Sequence, residues 1–229
     1  MGPSGKAFDL AGSPVYARPH IGGFLVGDLA MADDKPIGVL SRLTKAALLE
    51  FYRRQGWRAE GTPPADGRYV IIAAPHTSNW DFVYFLGLAT ELGINPHFMA
   101  KHSLFRWPIG GFMRDMGGIE VNRAARGDMV GAMVAEFARR DRFALTIAPE
   151  GTRSKVGSWR SGFYHIAMGA GVPMVVGFMD YAKRIGGLGP AIMPTGNYQA
   201  DMVRLAEIYR NVTPRHPGRG IGEWGTLGV

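Results

Sequence analysis

The run Tyr69–Phe85, YVIIAAPHTSNWDFVYF, constrains this chain more than any other stretch. Tyr69-Val70-Ile71-Ile72-Ala73-Ala74 is apolar and rich in β-formers, with Gly67 behind it and Pro75 ahead, the pattern of a short buried strand. Pro75 breaks the strand, and Thr77, Ser78 and Asn79 are residue types that begin helices by capping free N–H groups. Phe82, Val83, Phe85, Leu86 and Leu88 then predict a helix leaving the strand end. His76 falls in the turn, and Asp81 falls in the first helical turn, where a carboxylate favours the helix dipole. Such a turn can bring imidazole and carboxylate within hydrogen-bond reach. The acid then holds one ring nitrogen protonated and leaves the other as a general base. The same spacing also fits an ordinary helix start with an incidental His, so it calls for corroboration elsewhere in the chain.

Three further blocks supply it. Gly118-Ile119-Glu120-Val121-Asn122-Arg123 is a Gly–apolar stretch ending in Arg. Pro149-Glu150-Gly151-Thr152-Arg153-Ser154 contains EGTR, and Ala170-Gly171-Val172-Pro173-Met174-Val175-Val176 is an apolar run around a Pro. Taken in order with His76-Thr77-Ser78-Asn79-Trp80-Asp81, these blocks resemble the four motifs of the glycerolipid acyltransferases, the lysophosphatidic acid acyltransferase family. The resemblance spans roughly Ser41 to Gln199, most of the chain.

That resemblance implies transfer of a fatty acyl group from a thioester to the hydroxyl of a lysophospholipid-type acceptor. Acyl-CoA or acyl carrier protein would be the donor substrate, with no cofactor and no metal. It casts His76 as the base and Asp81 as the group orienting it. Arg123 and Arg153 are suited to bidentate contact with the acceptor's phosphate. Lys101 heads a segment whose Leu104, Phe105, Pro108 and Gly110 also match, and either helps neutralise a phosphate or is an ordinary strand-end Lys. Glu150 pairs with an Arg or holds a substrate hydroxyl, Gly151 permits close backbone approach, and Thr152 completes the turn. Ser78, between the dyad residues, reads as a helix cap, with a covalent route as the lesser option. The pattern is departed from in places. The second block ends Val-Asn-Arg, the third is followed by Lys155-Val156-Gly157-Ser158-Trp159-Arg160, and the fourth by the charged turn Asp180-Tyr181-Ala182-Lys183.

The wider chain reads as α/β: a single domain with a mainly parallel sheet flanked by helices and an N-terminal amphipathic helix. At 229 residues with 46% hydrophobic content it suits one domain with a substantial core. Strands are expected at 69–74, 97–101, 118–121, 143–147, 173–178 and 191–193, and helices after Asn79 and at 127–140, 161–169 and 199–211. Strand–helix alternation favours parallel pairing, and ligand groups in such sheets gather beyond the strands' carboxyl ends. His76, Asn122/Arg123 and Glu150/Arg153 each follow a predicted strand, so they should meet at one edge. Residues 1–35 read as a poorly ordered arm with Met31 as an alternative start, 36–212 as the acyltransferase domain, and 213–229 as a loosely held tail. Arg58–Arg68 reads as a turn-rich connection. Ile37–Trp57 is helical and carries Leu40, Leu43 and Phe51 among Arg42, Lys45, Arg53 and Arg54. Two readings stay open for it: a helix packed on the core, or an interfacial helix with Phe51, Tyr52 and Trp57 at a lipid boundary.

The net charge of +7 fits nucleic acid, an anionic membrane surface or phosphorylated substrates. No Lys/Arg block longer than a pair occurs, which disfavours nucleic acid. No apolar run approaches the ~20 residues of a spanning helix, and no secretory signal pattern opens the chain. The expectation is a cytoplasmic protein, peripheral on the inner face of the membrane. The absence of Cys excludes disulfides and a thiol nucleophile. Two rivals stand beside the transferase. One is a metal-dependent hydrolase using His76, Asp81, His97, His102 or His165, although no ligand spacing groups these and His97 and His102 read as exposed strand-end residues. The other is a non-catalytic lipid- or membrane-binding protein with a structural dyad.

Overall fold

The computed structural model describes residues 36–121 and 128–219. The predicted arm, Asn122, Arg123 and the last ten residues of the tail lie outside the described residues. Seven strands form one sheet in the order β1-β7-β6-β2-β5-β3-β4. The strands are β1 (Arg58–Glu60), β2 (Arg68–Ala73), β3 (Pro96–Lys101), β4 (Gly118–Val121), β5 (Phe143–Ile147), β6 (Met174–Asp180) and β7 (Ile185–Ile192). From β6 through β4 every pairing is parallel. β7 runs antiparallel to β6, and β1 lies parallel to β7 at the far edge.

The central strands are the apolar runs seen in the sequence, buried on both faces as parallel strands covered by helices must be. Tyr69 and Ile71 of β2 share a core cluster with Ala144, Val175 and Leu188, with Leu92 and Ile94 packed on it. Alternation puts Phe143 and Leu145 of β5 on the opposite face. There the Phe143 ring meets Phe137 of α4 (Met129–Arg139) with ring centroids 4.7 Å apart. α5 (Gly162–Ala170) packs against α4, and α6 (Tyr198–Tyr209) docks through Tyr209, whose buried hydroxyl donates to the Ile72 carbonyl at 2.5 Å.

The other layer holds α1 (Val39–Arg54), α2 (Trp80–Glu91) and α3 (Gly110–Asp115). α1 meets α2 at Gly87, where a Cβ would fall 2.3 Å from the Tyr52 ring, so only glycine lets the helices approach this closely. The core-packing reading of α1 holds for half of the helix. Its C-terminal half is core: Tyr52 is buried, and Trp57 beyond it stacks on Tyr84 rather than reaching a lipid boundary. Its N-terminal half turns Val39, Leu40 and Leu43 outward, with Leu40 78% exposed.

Three elements differ from expectation. β1 lies in the stretch read as a connection, β7 spans eight residues where three were expected, and α3 falls in an apolar Gly/Pro segment read without a helix. β1 and β7 carry charged or glycine-rich sequences, RAE and IGGLGPAI, and are strands because of whom they pair with rather than what they contain.

Candidate active site

Three neighbouring parallel strands, β6, β2 and β5, end at the same edge of the sheet. β2 delivers His76, β5 delivers Glu150 and β6 delivers Tyr181. α2 starts at the end of β2 and brings back Asp81. The Asp81 side chain turns toward the helix start, where its Oδ2 accepts from the N–H groups of Thr77 and Ser78, both at 3.0 Å. The same oxygen lies 3.0 Å from His76 Nδ1. The Tyr181 hydroxyl donates to Oδ1 at 2.5 Å. Asp81 is 2% exposed, and burial by itself would raise its carboxyl. The hydrogen bonds from His76, Tyr181 and the Ser78 backbone outweigh that and hold it below the usual carboxylate range. A buried acid with four donors stays ionised, and it fixes the turn and the imidazole together. Ser78 Oγ accepts from Trp80 N–H at 3.1 Å, just ahead of the helix, whose N-cap position is Asn79 rather than Ser78.

Glu150 approaches from the neighbouring strand. Its Oε2 accepts from the His76 backbone N–H at 2.8 Å, while Oε1 is buried with no hydrogen-bond partner among the described residues. Burial pushes this carboxyl up to about 7, with the His76 N–H and His76 charge opposing the shift and Asp81 adding to it. Two carboxyls beside one histidine are thus driven in opposite directions. Gly151 sits at φ +65°, the left-handed region, and a Cβ there would come within 3.0 Å of Arg160 Nε. Thr152 and Arg153 follow on the surface and line an open groove that also includes Thr77 and Ser78.

The structure therefore brings Asp81 against the His76 ring and Glu150 against the His76 backbone, with Gly151, Thr152 and Arg153 alongside. Lys101 ends β3 at the same edge, two strands away from β2, and is exposed. Arg123 lies outside the described residues, just past β4. His97 corrects an expectation: it is buried against the Phe143 ring, 4.8 Å between centroids, whereas exposed His102 pairs with Glu120. Among the described residues no three His, Asp or Glu side chains gather as a metal site would require.

Tyr181 went unassigned in the sequence, where the turn after β6 read as surface or substrate contact. Only the β2–β6 pairing reveals it as a partner of Asp81. Its backbone N–H in turn donates to the Thr213 carbonyl at 2.9 Å. The segment expected as a loose tail thus reaches the site: Arg215 lies over the rings of Trp80 and Tyr181, at 5.5 and 5.7 Å, and His216 N–H donates to Thr77 Oγ1 at 3.2 Å.

The fold is thus an α/β domain that sets a His–carboxylate pair on the carboxyl edge of a mainly parallel sheet. The acyltransferase family matches residues 57–177, more than half of the 229-residue chain, and the chain belongs to that family, as its four motifs led us to expect. Among solved structures, the crystal structure of the 1-acyl-sn-glycerophosphate (LPA) acyltransferase PlsC from Thermotoga maritima is similar, with a TM-score of 0.50 and 21% identity over 68% of this chain and 71% of that one. At this identity the likeness concerns the fold. No curated protein matches the chain.

Proposed function

We propose that this acyltransferase moves a fatty acyl group from a thioester, acyl-CoA or acyl-acyl carrier protein, to the hydroxyl of a lysophospholipid-type acceptor. The observation that carries the reading is His76 Nδ1 held 3.0 Å from a buried, ionised Asp81. With Nδ1 committed as the donor to Asp81, Nε2 is the nitrogen left for a substrate proton. The acceptor hydroxyl attacks the thioester carbonyl as its proton passes to Nε2, and Asp81 stabilises the resulting imidazolium. Collapse of the tetrahedral intermediate breaks the C–S bond, and the leaving thiolate takes the proton back from His76. The acceptor oxygen is itself the nucleophile, so no acyl-enzyme is required.

Glu150 would contribute its unpartnered Oε1 to a substrate hydroxyl. Gly151 and Thr152 would shape the wall beside it, and Arg153, with Lys101 farther along the edge and Arg123 as its motif implies, would meet a phosphate. The outward Val39, Leu40 and Leu43 of α1, flanked by Arg42 and Lys45, support a peripheral seat on an anionic bilayer. No described helix is long and apolar enough to cross a membrane. The test is thiol release from palmitoyl-CoA with and without lysophosphatidate. Acceptor-dependent release that disappears in His76→Ala is the expected result. Release that ignores both the acceptor and the substitution would place the chemistry elsewhere.

A further inference from the structure

The chain after α6 does more than end the fold. Three contacts lay it across the His76 loop: the Tyr181 N–H to the Thr213 carbonyl at 2.9 Å, the Arg215 guanidinium over Trp80 and Tyr181, and the His216 N–H to Thr77 Oγ1 at 3.2 Å. Held this way, the segment carries His216 and Arg219 to the rim of an open groove of about 610 Å³. Thr152–Lys155 also line it, as do Thr77 and Ser78, the residues that follow His76.

The lining of this groove has one sign. Arg153, Lys155 and Arg219 line it, and no Asp or Glu does. Among the described residues none of these three cations has a carboxylate partner, in contrast to Arg53 and Arg54, which both pair with Glu50. Like charges that share a concave wall raise the local positive potential, and an anion seated between them relieves it. Guanidinium groups in particular present paired donors that fit phosphate oxygens.

We propose that the C-terminal segment Thr213–Arg219 is part of the substrate site, and that Arg219 closes over a substrate phosphate held from the other side by Arg153 and Lys155. The proposal builds on the acyl-transfer reading of His76, which supplies the reason for a phosphate beside that loop. The same chemistry belongs to an acceptor phosphomonoester and to the phosphates of a coenzyme A donor. His216, whose backbone is tied to Thr77, serves as the hinge point that sets the height of Arg219 over the groove.

The first measurement is independent of turnover. Inorganic pyrophosphate is titrated into the full chain and followed by calorimetry, for the wild type, Arg219→Ala and Arg219→Lys. Arg219 is exposed, so its replacement leaves the core untouched. The Ala variant should bind about tenfold more weakly or worse, with the Lys variant between. Wild type that does not bind, or an Ala variant that binds equally well, overturns the proposal. Binding that follows this order in a protein showing no acceptor-dependent thiol release would leave the groove standing and sink the catalytic reading instead. KM values then identify the phosphate's owner. A rise in Arg219→Ala with lysophosphatidate but not with monoacylglycerol assigns the acceptor. A rise with palmitoyl-CoA but not with palmitoyl-pantetheine assigns the donor. No rise with either phosphate-bearing substrate overturns the proposal.

Discussion

Replacing Glu150 by Gln tests whether this carboxyl is held as an unfavourable buried charge. Glu150 is 2% exposed, and its folded-state carboxyl sits at about 7 against an ordinary 4.5. A raised acid binds its proton more tightly folded than unfolded. Its contribution to stability is therefore fully present below the ordinary carboxylate value and is lost as pH climbs to about 7. Between pH 5 and pH 8 a shift of this size removes about 2 to 3 kcal/mol from the wild type. Gln cannot ionise, and its side-chain oxygen can still accept from the His76 N–H. Urea unfolding at both pH values should show Glu150→Gln gaining about 2 to 3 kcal/mol relative to wild type on going from pH 5 to pH 8. The constant cost of an amide N–H facing the space now occupied by Oε1 cancels in that difference. A gap between variant and wild type that stays the same across this range, within about 0.5 kcal/mol, would refute the reasoning. Glu150 would then be solvated or paired in solution.

Tyr181→Phe removes one of the bonds that hold Asp81 ionised, at a cost of roughly 1 to 3 kcal/mol. We expect kcat/KM for acyl transfer to fall about tenfold and the acid limb of the pH–rate profile to move upward, because the Asp81 carboxyl is no longer held as low; a fall in rate with an unmoved acid limb would reduce Tyr181 to a packing residue. Leu40→Glu together with Leu43→Glu should weaken sedimentation with anionic liposomes while leaving unfolding by urea nearly unchanged, since both side chains point outward. Equal liposome binding by the double variant would remove α1 from the proposed membrane seat.

The central strands and the dyad were legible because each depends on nearby residues. Val70, Ile71 and Ile72, or Leu145 and Ile147, are β-formers in apolar runs that any covered parallel sheet would accept. His76 and Asp81 are five positions apart across a helix start, so local geometry alone brings them within reach, and the order of four motifs named the family. β1 and β7 were not legible in the same way. Arg58–Glu60 is mostly charged and Ile185–Ile192 is rich in Gly, and both are drawn into extended form by ladder partners distant in sequence.

The sequence by itself determined the chemistry that the chain could hold: a base with its acid in one turn, a carboxyl in EGTR, and apolar runs of strand length. Tertiary structure decided how those groups are charged and who assists them. Pairing of β2 with β5 and β6 sets Glu150 against the His76 backbone and Tyr181 against Asp81, across 74 and 100 residues of chain. Burial at that crossing raises one carboxyl, and hydrogen-bond donors lower the other. The path of the chain after α6 brings Arg215, His216 and Arg219 over the same edge. Covalent order sets which residues can be neighbours within a turn; strand order sets which strand ends meet, and solvation and charge at the site follow from that meeting.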